Sequence, residues 1–264
     1  MKKYWTLIKI TWQRALTYRF SVFAYRIGEI SEMLIVIFMW TAIFDGQNII
    51  KGYTLPEMIT YILIGNLVNA FVRNWLTVVV AGDIKNGTLS QFLVRPIKYF
   101  NYIIFREIGR ISLSLLASVF SQIIVVLVFL NIFILNTHPI TILLIGAMVI
   151  LAFVIEMLLS YLIGLIAFWT DEVDGIYTTI GRLKKFFSGG YFPISLLPIT
   201  FVNISFMLPF AYSFFIPAQL YLNKISIATG LKGLVIQIIW IFLLYGIIHV
   251  VWKKGLKRYE GVGI

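Results

Sequence analysis

The sequence predicts an all-α membrane protein that crosses the bilayer six times, and three observations predict it. Of the 264 residues, 60% are hydrophobic and 12% charged, where a soluble domain carries roughly 45–50% apolar and about 25% charged residues. The apolar residues fall in runs long enough to cross a hydrocarbon core, which takes roughly 20 of them. The basic residues behind the net charge of +11 stand at the ends of those runs instead of forming one soluble face. That placement excludes a soluble nucleic-acid-binding domain and leaves no nucleic-acid partner. The absence of cysteine excludes a disulfide-stapled secreted domain, a thiol nucleophile and a zinc–cysteine site.

Residues 1–20 read as a cytoplasmic interfacial amphipathic helix. Trp5, Ile8, Trp12, Ala15 and Leu16 recur at helical spacing, and Lys2, Thr6, Lys9 and Gln13 take the other faces. Lys2 and Lys3 precede this amphipathic stretch, not a short apolar run ending in small residues, so the start does not read as a cleavable signal peptide. The helix is either a plain anchor or a docking element for a cytoplasmic partner. Residues 21–264 form one six-span transmembrane domain. Its spans are predicted at 21–44, 55–81, 103–135, 140–169, 173–190 and 234–252. Residues 191–222 are apolar but broken by Pro193, Pro198, Pro209 and Pro217. Short re-entrant helices, entering and leaving from the extracytoplasmic side, suit such a segment, because freed backbone groups in a membrane must be buried in protein. No internal repeat is evident, which argues against an inverted-repeat transporter.

The basic residues set the orientation. Lys2, Lys3, Lys9, Arg14 and Arg19 precede the first span. Lys85, Arg95, Lys98, Arg106 and Arg110 follow the second, and Lys253, Lys254, Lys257 and Arg258 follow the last. The opposite side holds only Lys51, Lys224 and Lys232. Both termini are therefore expected in the cytoplasm.

Residues 82–100 then form a cytoplasmic segment that opens with Asp83 and Lys85. Gly87 and Pro96 bracket a short helix, which the Thr88 hydroxyl is placed to cap by accepting from an orphan backbone N–H. Leu89, Phe92 and Leu93 then lie on one face. Such a helix is either a tight connection or a coupling element that inserts into another protein. If it couples, Asp at Leu89 or Phe92 breaks docking without unfolding the spans.

At Ile84, Gly87, Thr88, Leu89, Leu93, Arg95, Pro96 and Ile97 the sequence resembles the coupling segment of type 2 ATP-binding-cassette (ABC) exporter permeases. Gly52-Tyr53-Thr54 with Glu57 and Tyr61 resembles the opening of that family's second span. Ser188-Gly189-Gly190, Phe192-Pro193, Leu197-Pro198 and Leu208-Pro209-Phe210 resemble its fifth span and re-entrant helices. The tail Gly255-Leu256-Lys257-Arg258-Tyr259-Glu260 is similar to the ending of a subfamily of bacterial permeases of unassigned substrate. The resemblance implies a multi-pass inner-membrane (cytoplasmic membrane) permease that moves an amphiphilic or hydrophobic substrate outward. It implies two copies of a cytoplasmic ABC ATPase and a second permease, identical or related, among membrane lipids. ATP and magnesium then belong to the ATPase, and this chain binds no cofactor or metal and is not itself an enzyme. The residues agree to this extent: no G-x-x-x-x-G-K-[ST] loop is present. Arg182, Lys184 and Lys185 depart from the pattern, standing where an apolar fifth span is expected.

Ionisable residues at bilayer depth are functional candidates. Arg26, Glu29 and Glu32 lie in the first span at spacings of three, and Glu32 stands roughly 15 Å into it at about 1.5 Å per residue. Arg73 in the second span has a depth comparable to Arg26 or Glu29. One arrangement joins Arg26 and Arg73 to Glu29 as an internal lock. The other leaves Glu32 facing a cavity, where it meets a cationic or hydrogen-bonding substrate. Glu156, with Ser160 one turn on, suits a protonated structural role or the same pathway. Asn66 and Asn69 share a face of the second span, where hydrogen bonds between helices are the simple expectation. The cluster Arg182, Lys184 and Lys185 is expected in a cytoplasmic loop or snorkelling toward one. If the fifth span instead starts near Val173, those cations reach the pathway and favour an anionic headgroup.

A membrane enzyme is disfavoured. His138 and His249 are predicted on opposite sides, no H-E-x-x-H or G-x-S-x-G occurs, and Asp171, Glu172 and Asp174 read equally well as a solvated loop or a divalent-metal cluster. A channel or secondary transporter lined by the intramembrane charges is the alternative function.

Overall fold

The computed structural model describes residues 2–17, 19–94 and 98–259. Every long element among them is a helix, and no strand ladder forms. Helix α1 (Lys2–Thr17) is followed by α2 (Arg19–Ile43), α3 (Leu55–Val72), α4 (Leu76–Lys85), the five-residue α5 (Leu89–Leu93) and α6 (Tyr99–Val128). Then come α7 (Pro139–Leu165), α8 (Val173–Phe187), the short α9 (Ile199–Met207), α10 (Phe210–Ser213) and α11 (Phe215–Tyr221), and finally α12 (Ile227–Arg258).

Four helical stretches among the described residues are long and apolar enough to cross a membrane: Leu55–Lys85, Tyr99–Val128, Pro139–Phe168 and Ile227–Arg258. They coincide with four of the six expected spans. The other two differ for physical reasons. Helix α2 has 25 residues, enough at about 1.5 Å each, but carries Arg26, Glu29 and Glu32 in its middle. Helix α8 has 15 residues, or about 22 Å, short of a hydrocarbon core of about 30 Å.

Helix starts follow local chemistry where the sequence supplies it. Thr54 and Glu57 form a reciprocal capping box at α3, with Pro56 in the first turn. Ser226 accepts from the Thr229 N–H at the start of α12. In the broken segment, Pro193 precedes a single 3-10 turn (Ile194–Leu196), Pro198 precedes α9 and Pro209 precedes α10. Proline lacks an N–H, so it suits a helix start and limits each piece to a few turns.

Packing divides into two large apolar clusters. One gathers Leu76, Val80, Leu89, Tyr99, Tyr161, Leu165, Phe168 and Leu244 around the α4–α5 turn. The other gathers Trp40, Tyr53, Met58, Tyr61, Met148 and Tyr212 under the proline-broken segment. Helices α4 and α7 approach closely because Gly164 has no side chain: a Cβ there would lie 2.7 Å from the Val80 side chain. The Thr77 hydroxyl donates to the Ser160 carbonyl at 2.9 Å across the same contact. The buried Gln237 amide of α12 donates to the Met148 and Tyr212 carbonyls, joining α12 to α7 and α10. Helix α1 lies on α6, where the Trp12 indole donates to the Ser112 hydroxyl at 2.7 Å. Gly109 admits the Ile8 backbone there, since a Cβ would stand 3.0 Å from it. One face of α1 is therefore covered by protein, while Trp5 on another face is exposed.

Candidate functional site

The second predicted span is interrupted. After Val72 the backbone leaves helical geometry at Arg73, which is extended, and resumes at Leu76. No proline or glycine stands there; the break is held by side chains. The Asn74 carboxamide oxygen accepts from the Leu76 N–H at 3.1 Å. The Glu107 carboxylate on α6 accepts from the Trp75 N–H at 2.7 Å. Glu107 is 3% exposed and also pairs with Arg110. Helix α4 thus begins with two of its orphan donors satisfied, one locally and one from 32 residues away. Irregular backbone at membrane depth is found where it is buried in protein or borders a water-filled cavity.

A cavity borders this break. A pocket of about 90 Å³ is lined by Asn69, Arg73, Asn74, Glu156, Lys184 and Ser188, among others. A second, more open one of about 360 Å³ is lined by Ala24, Gly28, Glu29, Glu32 and Arg73. Arg73 borders both. The charges around them are organised in pairs. Arg26 binds Glu29 on the same helix at 2.6 Å, and the Ser118 hydroxyl of α6 joins the same carboxylate at 3.2 Å. Lys184 pairs with Glu156 across α8 and α7. Its neighbour Lys185 pairs with Glu32 of α2 at 2.6 Å and stands over the Tyr191 ring.

Several expectations change here. Glu32 has a partner, Lys185, 153 positions away in the sequence. Glu156 has a partner as well, Lys184 of α8. The Arg26–Glu29 pair is bound to α6 through Ser118. Asn66 does not bridge helices: its amide donates to the Ile62 carbonyl of its own helix at 2.9 Å. Asn69 is exposed and lines the smaller pocket. Lys184 and Lys185 lie on helix α8, which starts at Val173, and not in a loop; Arg182 is on the same helix and exposed.

The segment expected to couple is a tight turn followed by α5. Gly87 has φ +73°, a left-handed conformation that favours glycine. The Thr88 hydroxyl does not cap α5; it donates backward to the Asp83 carbonyl and carboxylate, at 3.2 and 3.0 Å. Asp83 also accepts from the Tyr99 hydroxyl at 2.9 Å, and Lys85 donates to the Asp171 carbonyl. Leu89 is 0% exposed, inside the chain's own core, and Phe92 packs on Tyr99 and Tyr102. The face left outward carries Gln91, Leu93 and Val94, with Val94 at 85% exposure. An Asp at Leu89 would therefore damage the chain's own packing, so Leu93 and Val94 are the better probes of docking. Arg95 and Pro96 lie outside the described residues.

At the far end, the Gln219 amide donates to the Tyr53 hydroxyl, which also meets the Ser195 hydroxyl at 2.8 Å. Lys224 pairs with Glu57 at 2.8 Å, donates to the Gly52 carbonyl and stands over the Tyr53 ring. This network ties the proline-broken segment to the start of α3. No group of three or more His, Cys, Asp or Glu suited to a metal ion occurs among the described residues.

The arrangement holds an interrupted candidate span and a set of paired charges beside it. A family model described as ABC-2 family transporter protein matches residues 30–263. The chain belongs to that family. Neither the curated proteins nor the solved structures offer a match. As an ABC-2 permease it is the multi-pass membrane component of an ABC transporter, not itself catalytic, and it belongs to a system with an ATPase partner. In this permease, sequence reasoning found Glu29, Glu32, Asn69, Arg73 and Glu156 around the two cavities. It missed Glu107 and the break it supports. The only local signal was a carboxylate placed three residues before Arg110 on a predicted span.

Proposed function

We propose that this ABC-2 permease moves an amphiphilic or hydrophobic substrate outward across the cytoplasmic (inner) membrane. Energy comes from ATP and magnesium held by a separate cytoplasmic ATPase, two copies of which serve a pair of permeases. Helix α2, and α8 with the short helices after it, complete six crossings with both termini cytoplasmic. The basic residues collected at both termini and in the stretch between the second and third spans support that orientation. The observation that carries the reading is the family match over residues 30–263 combined with charges gathered at an interrupted span. Discontinuous helices beside intramembrane charges are what substrate pathways are built from.

The coupling surface is the outward face of α5, Leu93 and Val94, supported from behind by Asp83, Lys85, Gly87, Thr88, Leu89 and Phe92. Apolar side chains this exposed at a predicted cytoplasmic turn suit insertion into a partner. Affinity purification of the tagged chain in mild detergent is expected to bring the ATPase with it. Leu93→Asp with Val94→Asp is expected to lose the ATPase while the permease keeps its melting profile. Retention of the ATPase in normal proportion by that double variant would refute the assigned surface.

A further inference from the structure

We propose that the groove between α3 and α6 binds a neutral lipophilic molecule that carries a carbonyl inside its apolar body, held by the Gln122 amide. The groove shares no residue with the two cavities at Arg73, so the binding does not rest on the transport reading.

One buried side chain carries the inference. Gln122 on α6 is 5% exposed, and its amide nitrogen has no hydrogen-bond partner among the described residues. A buried donor without an acceptor is costly, and the more so in a membrane, where no bulk water reaches it. Glutamine in a spanning helix is ordinarily matched by a neighbouring helix. Gln237 shows this in the same molecule, with its amide donating to the Met148 and Tyr212 carbonyls. Gln122 instead lines a groove of about 210 Å³ with Leu63, Leu67, Val119, Val126 and Phe133 among others. Every other lining side chain is apolar. Water is a poor partner there, since it needs about two to four polar contacts and the side chains of the walls supply one. Apolar walls with a single placed donor suit an apolar ligand with one acceptor.

Depth sets the class of ligand. Leu67, which lines the groove with Gln122, stands about 18 Å along the Leu55–Lys85 stretch at about 1.5 Å per residue. That is well inside a hydrocarbon core of about 30 Å. Ile123 and Leu127, also in the lining, are exposed, so the groove is open to the bilayer. A charged headgroup is costly at that depth, and the ester groups of a phospholipid lie at the boundary of the hydrocarbon, above Gln122. A neutral molecule dissolved in the core brings its carbonyl to the level of the amide. The loop that supplies Phe133 is held by the Ile134 N–H, which donates to the Thr60 hydroxyl at 2.9 Å. That wall is therefore fixed, and the Gln122 side chain turns about its own torsions to meet the ligand.

The test offers the purified full chain in detergent a mid-chain dialkyl ketone or the alkane of equal length. Native mass spectrometry is expected to show the ketone retained about tenfold better than the alkane, the equivalent of one hydrogen bond to an otherwise unmatched donor. The carbonyl stretch of the bound ketone is expected to move to lower frequency. Gln122→Leu is expected to retain both probes equally and to abolish the frequency shift. Without ligand it is expected to melt no lower than wild type, since it removes the unmatched donor. Val119→Phe, which fills the groove, is expected to lower retention of both probes and keeps the test open if Gln122→Leu does not fold. Equal retention of ketone and alkane by the wild type overturns the proposal, as does a ketone preference that survives Gln122→Leu, or full retention by Val119→Phe. Retention of a diester phosphatidylcholine over its diether analogue, with no ketone bound, overturns the neutral ligand and gives the groove to an ordinary phospholipid. Efficient disulfide cross-linking of two Ile123→Cys copies, with no probe retained, also overturns it and gives the groove to a second permease.

Discussion

The second span contains two helix starts, and they are built in opposite ways. Helix α3 begins at Thr54, where hydroxyl and carboxylate three residues apart cap each other's backbone. Helix α4 begins at Trp75, inside the span, where one cap comes from Asn74 and the other from Glu107 on α6. The first start would form in a peptide; the second exists only once α6 is in place. A helix end within a membrane has no water to satisfy its donors. Interrupting a span there requires a partner from elsewhere in the protein. Here that partner is a carboxylate, which brings its own counter-ion, Arg110, into the bundle.

That contrast orders the expected effects of substitution. Glu107→Ala removes the remote cap and strands Arg110 in one step. Glu107 is buried but the Arg110 side chain is 32% exposed, so the cost is expected at about 3 kcal/mol, the low end for breaking a buried pair, and thermal unfolding in detergent, followed by tryptophan fluorescence, should show the largest loss among these changes. A wild-type melting temperature would mean the break does not depend on Glu107. Asn74→Ala takes the local half of the same start, and because Asn74 is buried its loss is expected to cost about 2 kcal/mol. Amide exchange at Leu76 should rise in parallel; unchanged protection would show that α4 is held by packing alone. Thr54→Ala, at the wetter end, is expected to cost about 1 kcal/mol by denaturant titration. A loss as large as that of Asn74→Ala would erase the distinction between the two starts. Glu32→Gln is expected to leave stability within about 0.5 kcal/mol, since the pair it breaks is exposed. A larger drop would make that pair structural.

Much of the fold was legible because hydropathy measures the dominant cost of leaving water. The spans around Met148 and Leu244, and the proline-broken run between α8 and α12, stand where expected. Thr54 and Glu57 stand together in a sequence motif, and they form a local cap. The interrupted span was not legible. Arg73, Asn74 and Trp75 contain no helix breaker, and half of what holds the break is a hydrogen bond that the Trp75 N–H donates to a residue 32 positions on. Pairings such as Glu32 with Lys185 are equally tertiary: each charge looks alone until two helices meet. Leu89 and Leu93 show the same limit within one turn. The pattern put both on one face, but five residues of helix, bound from behind by Thr88 and Asp83, turn Leu89 into the core and leave Leu93 outside.

The break at Arg73–Trp75 also bears on how mechanical load would travel through this protein. An unbroken helix is a strut, and a push at one end arrives at the other. Here α4 is fastened sideways to α7 through Gly164 and Thr77, whereas α3 is anchored to the far end through Tyr61, which donates to the Gly189 carbonyl at 2.7 Å. Between them, at Arg73–Trp75, the backbone leaves helical geometry. A displacement imposed near Thr88 would therefore meet a joint before it reached α3, and that joint is bordered by Arg73, the residue both cavities share.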